Sequence, residues 1–100
     1  MDLGLGGATV VVTGGTGGMG RAAADCFAAD GARVAVMARS RDALDATAAE
    51  LTELGSPDAI GLEVDLFDQA SVDAGVAEVG ERWGHLNALV NVAGPMAGSL

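Results

Sequence analysis

Neither lysine nor tyrosine occurs in the sequence, and all five basic residues are arginines: Arg21, Arg33, Arg39, Arg41 and Arg82. Fourteen acidic residues stand against them, for a net charge of −9, which argues against a nucleic-acid-binding surface. The one cysteine, Cys26, has no partner for an internal disulfide, and a lone thiol fits a reducing cytoplasm. No apolar run approaches the ~18 residues of a membrane span. The opening "MDLGLGGATVVV" lacks the basic segment of a secretion signal. His85, the only histidine, falls just past a helix end and is read as having no role. What remains is half hydrophobic and rich in glycine, with room over 100 residues for one core.

The pattern alternates between strands and helices. "ATVVVT" at 8–13 is a β-branched run bounded by glycines and reads as a buried strand. A helix follows the glycine-rich turn, with Met19, Ala23, Cys26 and Phe27 at helical spacing, Cys26 buried as a small residue, and Gly31 as the stop. "RVAVMA" at 33–38 is a second strand. Ser40 caps a second helix that buries Leu44, Ala48 and Leu51 and closes near Gly55. After the turn "SPD", "AIGLEV" at 59–64 is a weaker third strand. Asp68 caps a third helix, with Val72, Val76, Val79 and Trp83 inward and Gly84 at its end, and 86–92 is a fourth strand. The closing "GPMAGSL" reads as a loop. A βαβαβαβ order predicts an α/β fold: a doubly wound, Rossmann-like parallel sheet with helices on both faces. No repeat or linker divides it.

The turn "TGGTGGMG", Thr13 to Gly20, accepts three glycine registers. G-x-G-x-x-G uses Gly15, Gly17 and Gly20. T-G-x-x-x-G-x-G uses Gly14, Gly18 and Gly20, and T-G-x-x-G-x-x-G uses Gly14, Gly17 and Gly20. In each, a strand ends, the chain turns, and a helix starts with unsatisfied N–H groups facing the turn. Those donors and the helix dipole favour a pyrophosphate, and glycine lets the backbone come close to it.

Two later stretches select among the registers: "VDLFD", Val64 to Asp68, at the end of the third strand, and "NVAG", Asn91 to Gly94, at the end of the fourth. Together with T-G-x-x-x-G-x-G they resemble the short-chain dehydrogenase/reductase family over essentially the whole chain. Val92 departs from the commonest N-N-A-G form. The resemblance makes Gly14, Gly18 and Gly20 the working glycines and turns the Met19 amide to the pyrophosphate. It gives adenine recognition to Asp65 and the Leu66 amide. Asn91 then fixes the strand end, and the Ala93 and Gly94 backbone lies along the adenosine ribose.

The end of the second strand bears on the choice of nucleotide. An acid there accepts hydrogen bonds from the ribose hydroxyls of NAD and repels a 2′-phosphate. Here Ala38 holds that place, followed by Arg39 and Ser40. Arg39 can pair with a phosphate, and Ser40 and Thr16 can donate to it. NADP is therefore expected, with NAD as the alternative. Gly17 stands where NADP-selecting members often carry a second base.

The resemblance also implies a Y-x-x-x-K pair downstream of N-x-A-G, which these residues do not contain. We expect the 100 residues to be the N-terminal dinucleotide-binding part of a longer enzyme, ending before that Tyr/Lys segment and inactive alone. No catalytic or metal-binding residue is assigned within them. The parent is expected in the cytoplasm as a homo-oligomer, a dimer or tetramer, moving hydride between the cofactor and a small carbonyl or alcohol. The other reading is a non-catalytic nucleotide-binding or sensing module that naturally ends near residue 100.

Overall fold

The computed structural model describes residues 7–14 and 18–91. The elements follow the expected order: β1 (Thr9–Thr13), α1 (Gly18–Ala29), β2 (Arg33–Ala38), α2 (Arg41–Leu54), β3 (Ala59–Glu63), α3 (Gln69–Trp83) and β4 (Ala88–Asn91). All pairings are parallel, and the sheet runs β3-β2-β1-β4. The chain steps outward from β1 through β2 to β3, then crosses back to place β4 on the other side of β1. This reversal of strand order opens a crevice at the C-terminal ends of β1 and β4.

Strand alternation divides the core between two layers. Val10, Val12, Val34 and Val36 pack with Ala24 and Ala28 of α1 and Leu44 and Leu51 of α2. Val11, Ala35, Met37 and Leu62 face Val79 of α3, with Val72, Val76 and Trp83 partly buried around it. Both faces of the middle strands are thus covered, which is why β1 and β2 read as near-continuous hydrophobic runs. Caps set the helix ends. Ser40 Oγ accepts from the Ala43 N–H and Asp68 Oδ1 from the Ala70 N–H, while Gly84 ends α3 in the left-handed region.

The first helix departs from expectation. Its buried positions are Gly20, Ala24 and Ala28, with Phe27 partly buried, whereas Cys26 is exposed and Met19 is 80% exposed. The contact stripe is rotated by one residue from the one read in the sequence. Small side chains take the face against β1 and β2, which lets the helix axis approach the sheet and turns the bulkier neighbours outward. In α2, likewise, Thr47 is buried where Ala48 was expected, beside Leu44 and Leu51.

β3 is short of side-chain bulk for a reason. A Cβ placed on Gly61 would lie 2.7 Å from Leu44 Cβ and 3.1 Å from the Leu44 carbonyl oxygen. The missing side chain that weakens the strand signal is the space into which α2 settles.

An ionic cluster joins the turn before β3 to the end of α3. Arg82 Nε and Nη2 reach the Asp58 carboxylate at 3.1 and 3.3 Å, and the Trp83 indole N–H donates to it at 2.7 Å. The Arg82 guanidinium holds the Asp58 carboxyl below its ordinary value of 3.8; burial opposes it, and the indole hydrogen bond adds a further, smaller lowering effect. With the folded value depressed, the added stability is present above the ordinary value and disappears as pH falls through the folded one. We expect Asp58→Asn to lower the unfolding midpoint at neutral pH, and the difference to shrink as the pH falls below 3.8 and the Asp58 carboxyl takes up its proton. Equal midpoints at pH 7 would show the cluster to be energetically silent.

Candidate cofactor-binding site

Because every strand is parallel, the last residues of β1, β2, β3 and β4 arrive at one edge of the sheet. Gly14 follows β1 at φ 71°, and its N–H donates to the Met37 carbonyl at 2.8 Å, fastening the start of the glycine turn to β2. Gly18 opens α1 at φ 58°, a left-handed conformation that side-chain-bearing residues adopt only under strain. A Cβ there would meet nothing within 4 Å among the described residues, so the backbone angle favours glycine, not crowding. Gly20 is buried one step into the helix, where α1 meets the sheet. The Met19 side chain stands in solvent, leaving the backbone at the helix start clear of it. Thr16, Ala93 and Gly94 lie outside the described residues, as do Gly15 and Gly17 of the competing registers and the closing segment.

The ends of β2 and β3 form a second part of the same edge. Ala38 and Glu63 are in register, and the Val64 N–H donates to the Ala38 carbonyl at 2.8 Å. Arg39, Glu63, Val64 and Asp65 line a cleft of about 280 Å³. Among the described residues the Arg39 side chain makes no hydrogen bond or ion pair, although two carboxylates share its cleft. Ser40 is committed to the helix cap through its acceptor lone pair, and its hydroxyl proton is still free to be donated.

Asp65 is exposed in a loop that its own polar groups shape. Its Oδ1 accepts from the Phe67 N–H at 3.0 Å, and its N–H donates to Ser71 Oγ at 3.0 Å. Leu66 packs inward on the α3-side core, and the Phe67 ring is 79% exposed. Asn91 ends β4 beside Thr13, at the strand-order reversal. The described residues thus gather Gly14, Gly18, Met19 and Gly20 with Asn91 at the crevice, and Arg39 and Ser40 with Asp65 and Leu66 across the neighbouring strands. Among the described residues no group of three or more His, Cys, Asp or Glu could hold a metal ion. A second cleft, about 370 Å³, lies between β3 and α3 and is lined in part by Arg41, Glu63 and Ser71.

Glu63 and Ser71 were not singled out in the sequence. The signal for Glu63 is positional: a parallel pairing of the two strands brings the third strand's last residue beside Ala38. Ser71 offers no such cue, since its contact with Asp65 depends on where α3 begins. Arg41, which the sequence leaves as a charge at a helix start, is anchored. It donates to the Gly61 carbonyl through Nη1 and Nη2 at 3.2 Å each and pairs with Asp45 at 3.1 Å and Glu63 at 3.5 Å.

The family model described as "short chain dehydrogenase" matches residues 8–99. Sorbitol dehydrogenase of Cereibacter sphaeroides is 44% identical over 89 residues, covering 89% of this chain and 33% of the relative. Meso-2,3-butanediol dehydrogenase of Serratia marcescens is 38% identical over 92 residues, covering 91% and 36%. The structure of L-sorbose reductase from Gluconobacter frateurii, solved with NADPH and L-sorbose, superposes with a TM-score of 0.87 at 37% identity. That match covers 94% of this chain and 36% of the reductase. The chain spans about a third of the length of these two curated relatives.

Proposed function

The chain belongs to the short-chain dehydrogenase family, and on that premise we propose that it is the N-terminal, NADP(H)-binding part of an oxidoreductase. In this reading the whole protein moves hydride between the nicotinamide and a small carbonyl or alcohol. The carrying observation is the pair of left-handed glycines at the strand-order reversal, Gly14 at the end of β1 and Gly18 at the start of α1. Backbone N–H groups at such a helix start supply donors for a pyrophosphate.

The preference for NADP rests on Arg39. Its guanidinium lies in the cleft at the end of β2 without a protein partner among the described residues, and Ala38 carries no carboxylate to repel a 2′-phosphate. Asp65 and Leu66 would receive adenine, Ser40 and Thr16 would assist at the phosphate, and Asn91, Ala93 and Gly94 would border the ribose. The bound cofactor supplies the hydride. The residues of this chain orient it but include neither tyrosine nor lysine for a Y-x-x-x-K pair, so we expect the 100 residues alone not to turn over a carbonyl. The one thiol, Cys26, fits work in a reducing cytoplasm.

Calorimetric titration of the full protein with NADPH and NADH tests the assignment. NADPH is expected to bind more tightly, and its advantage to shrink as salt rises, because the phosphate contact is partly screened. Equal affinities, or tighter NADH, would overturn the NADP reading. Binding of neither nucleotide would overturn the site.

A further inference from the structure

We infer that Arg41 is a positioning residue for nucleotide preference: it occupies the Glu63 carboxylate and so leaves Arg39 free for an anion. The inference rests on the NADP reading above. Two carboxylates line the cleft with Arg39, and either would be a natural partner for an unpaired guanidinium. Each is already engaged. Asp65 accepts from the Phe67 N–H, which keeps that carboxylate turned to its own loop. Glu63 meets Arg41 Nε.

Arg41 is suited to hold Glu63 because it is itself held. The Gly61 carbonyl accepts from Nη1 and Nη2, and Asp45 pairs with Nη1 as well, so the guanidinium is fixed against β3. In the parallel register, the Val34 N–H bonds to the Asp58 carbonyl and the Val64 N–H to that of Ala38. Alternation along the ladder then turns the Gly61 and Glu63 backbone groups outward, on the side where Arg41 lies. The two arginines, two residues apart, therefore have different tasks. Arg41 pairs with Glu63, and Arg39 remains for the ligand. Without Arg41, Glu63 becomes an intramolecular competitor for Arg39 and a like charge facing a 2′-phosphate. NAD, which lacks that phosphate, would not register the change.

The test is a cycle of binding constants for NADPH and NADH in the full protein. Arg41→Gln keeps an N–H donor for the Gly61 carbonyl and removes the charge that holds Glu63. It is expected to weaken NADPH about three- to fivefold, the size of one exposed ion pair, and to leave NADH unchanged. Glu63→Gln alone should leave NADPH as tight or tighter. The double variant should recover the parent's NADPH affinity, a rescue that a merely structural role for Arg41 would not produce. A loss that persists undiminished in the Glu63→Gln background means that Arg41 acts on the phosphate directly, and the inference falls. It falls also if Arg41→Gln changes nothing, or weakens both nucleotides alike. A parent protein that prefers NADH is a different failure, since it removes the NADP reading itself before any variant is made.

Discussion

Replacing Ala38 with Asp and Arg39 with Ala together is expected to turn the full protein from NADP towards NAD. Loss of a charged hydrogen bond from Arg39 costs about 1.5–3 kcal/mol, or roughly 10- to 150-fold in NADP affinity. The new carboxylate acts in the same direction, repelling a 2′-phosphate and accepting from the ribose hydroxyls of NAD. The strand end can take it. Ala38, the last residue of β2, lies at the margin of the buried cluster with 9% exposure, whereas Val34 to Met37 are at 0%, so an acid there must turn its carboxylate outward past the strand end. Its backbone carbonyl remains bonded to the Val64 N–H, so β3 stays in place. Dissociation constants for both nucleotides before and after the double change decide the matter. A ratio that does not move would reduce Arg39 to a solvated charge.

Gly61→Val is expected to destabilise the fold by about 1–3 kcal/mol through overpacking against α2. The backbone of β3 is extended and would accept valine readily, so propensity alone argues for a gain. Space argues the other way and wins. Even the first added carbon would lie 2.7 Å from Leu44 Cβ, on a side chain that is fully buried, and the helix carbonyl at 3.1 Å bars retreat in the other direction. Valine adds two methyls beyond that. Small domains are stable by only about 5–15 kcal/mol, so the loss would be plain in a urea midpoint of the full protein. A midpoint equal to the parent's, or higher, would mean that α2 can lift off β3 at little cost.

These two sites mark how far the sequence could be read. The end of β2 was legible because it is set locally, an apolar run closing at Ala38 with Arg39 and the cap residue Ser40 directly after it. The helix caps at Ser40 and Asp68 were legible for the same reason, since a cap is a local bond between residues three or fewer apart. The seating of helices was not. Periodicity finds large apolar side chains, and α1 meets the sheet through Gly20, Ala24 and Ala28, residues that carry almost no hydropathy signal. β3 read only as a weaker strand, because the atoms that exclude a side chain at Gly61 belong to Leu44, seventeen positions earlier. The anchoring of Arg41 was hidden likewise. Nothing local to "ARSR" says which of Arg39 and Arg41 is anchored, since the answer depends on a carbonyl and a carboxylate of β3.

The thin seam under α1 has a consequence for tuning. Gly20, Ala24 and Ala28 act as a spacer, and its thickness sets how high the start of the helix rides above β1. The amides proposed to receive the pyrophosphate move with the helix as one rigid rod. A single methyl added at Ala24 or Ala28 would tilt that rod and shift its far end, although neither residue comes near the ligand. Affinity for the phosphates could therefore be graded from beneath the helix, by thickness alone, with every group that touches the nucleotide left as it is.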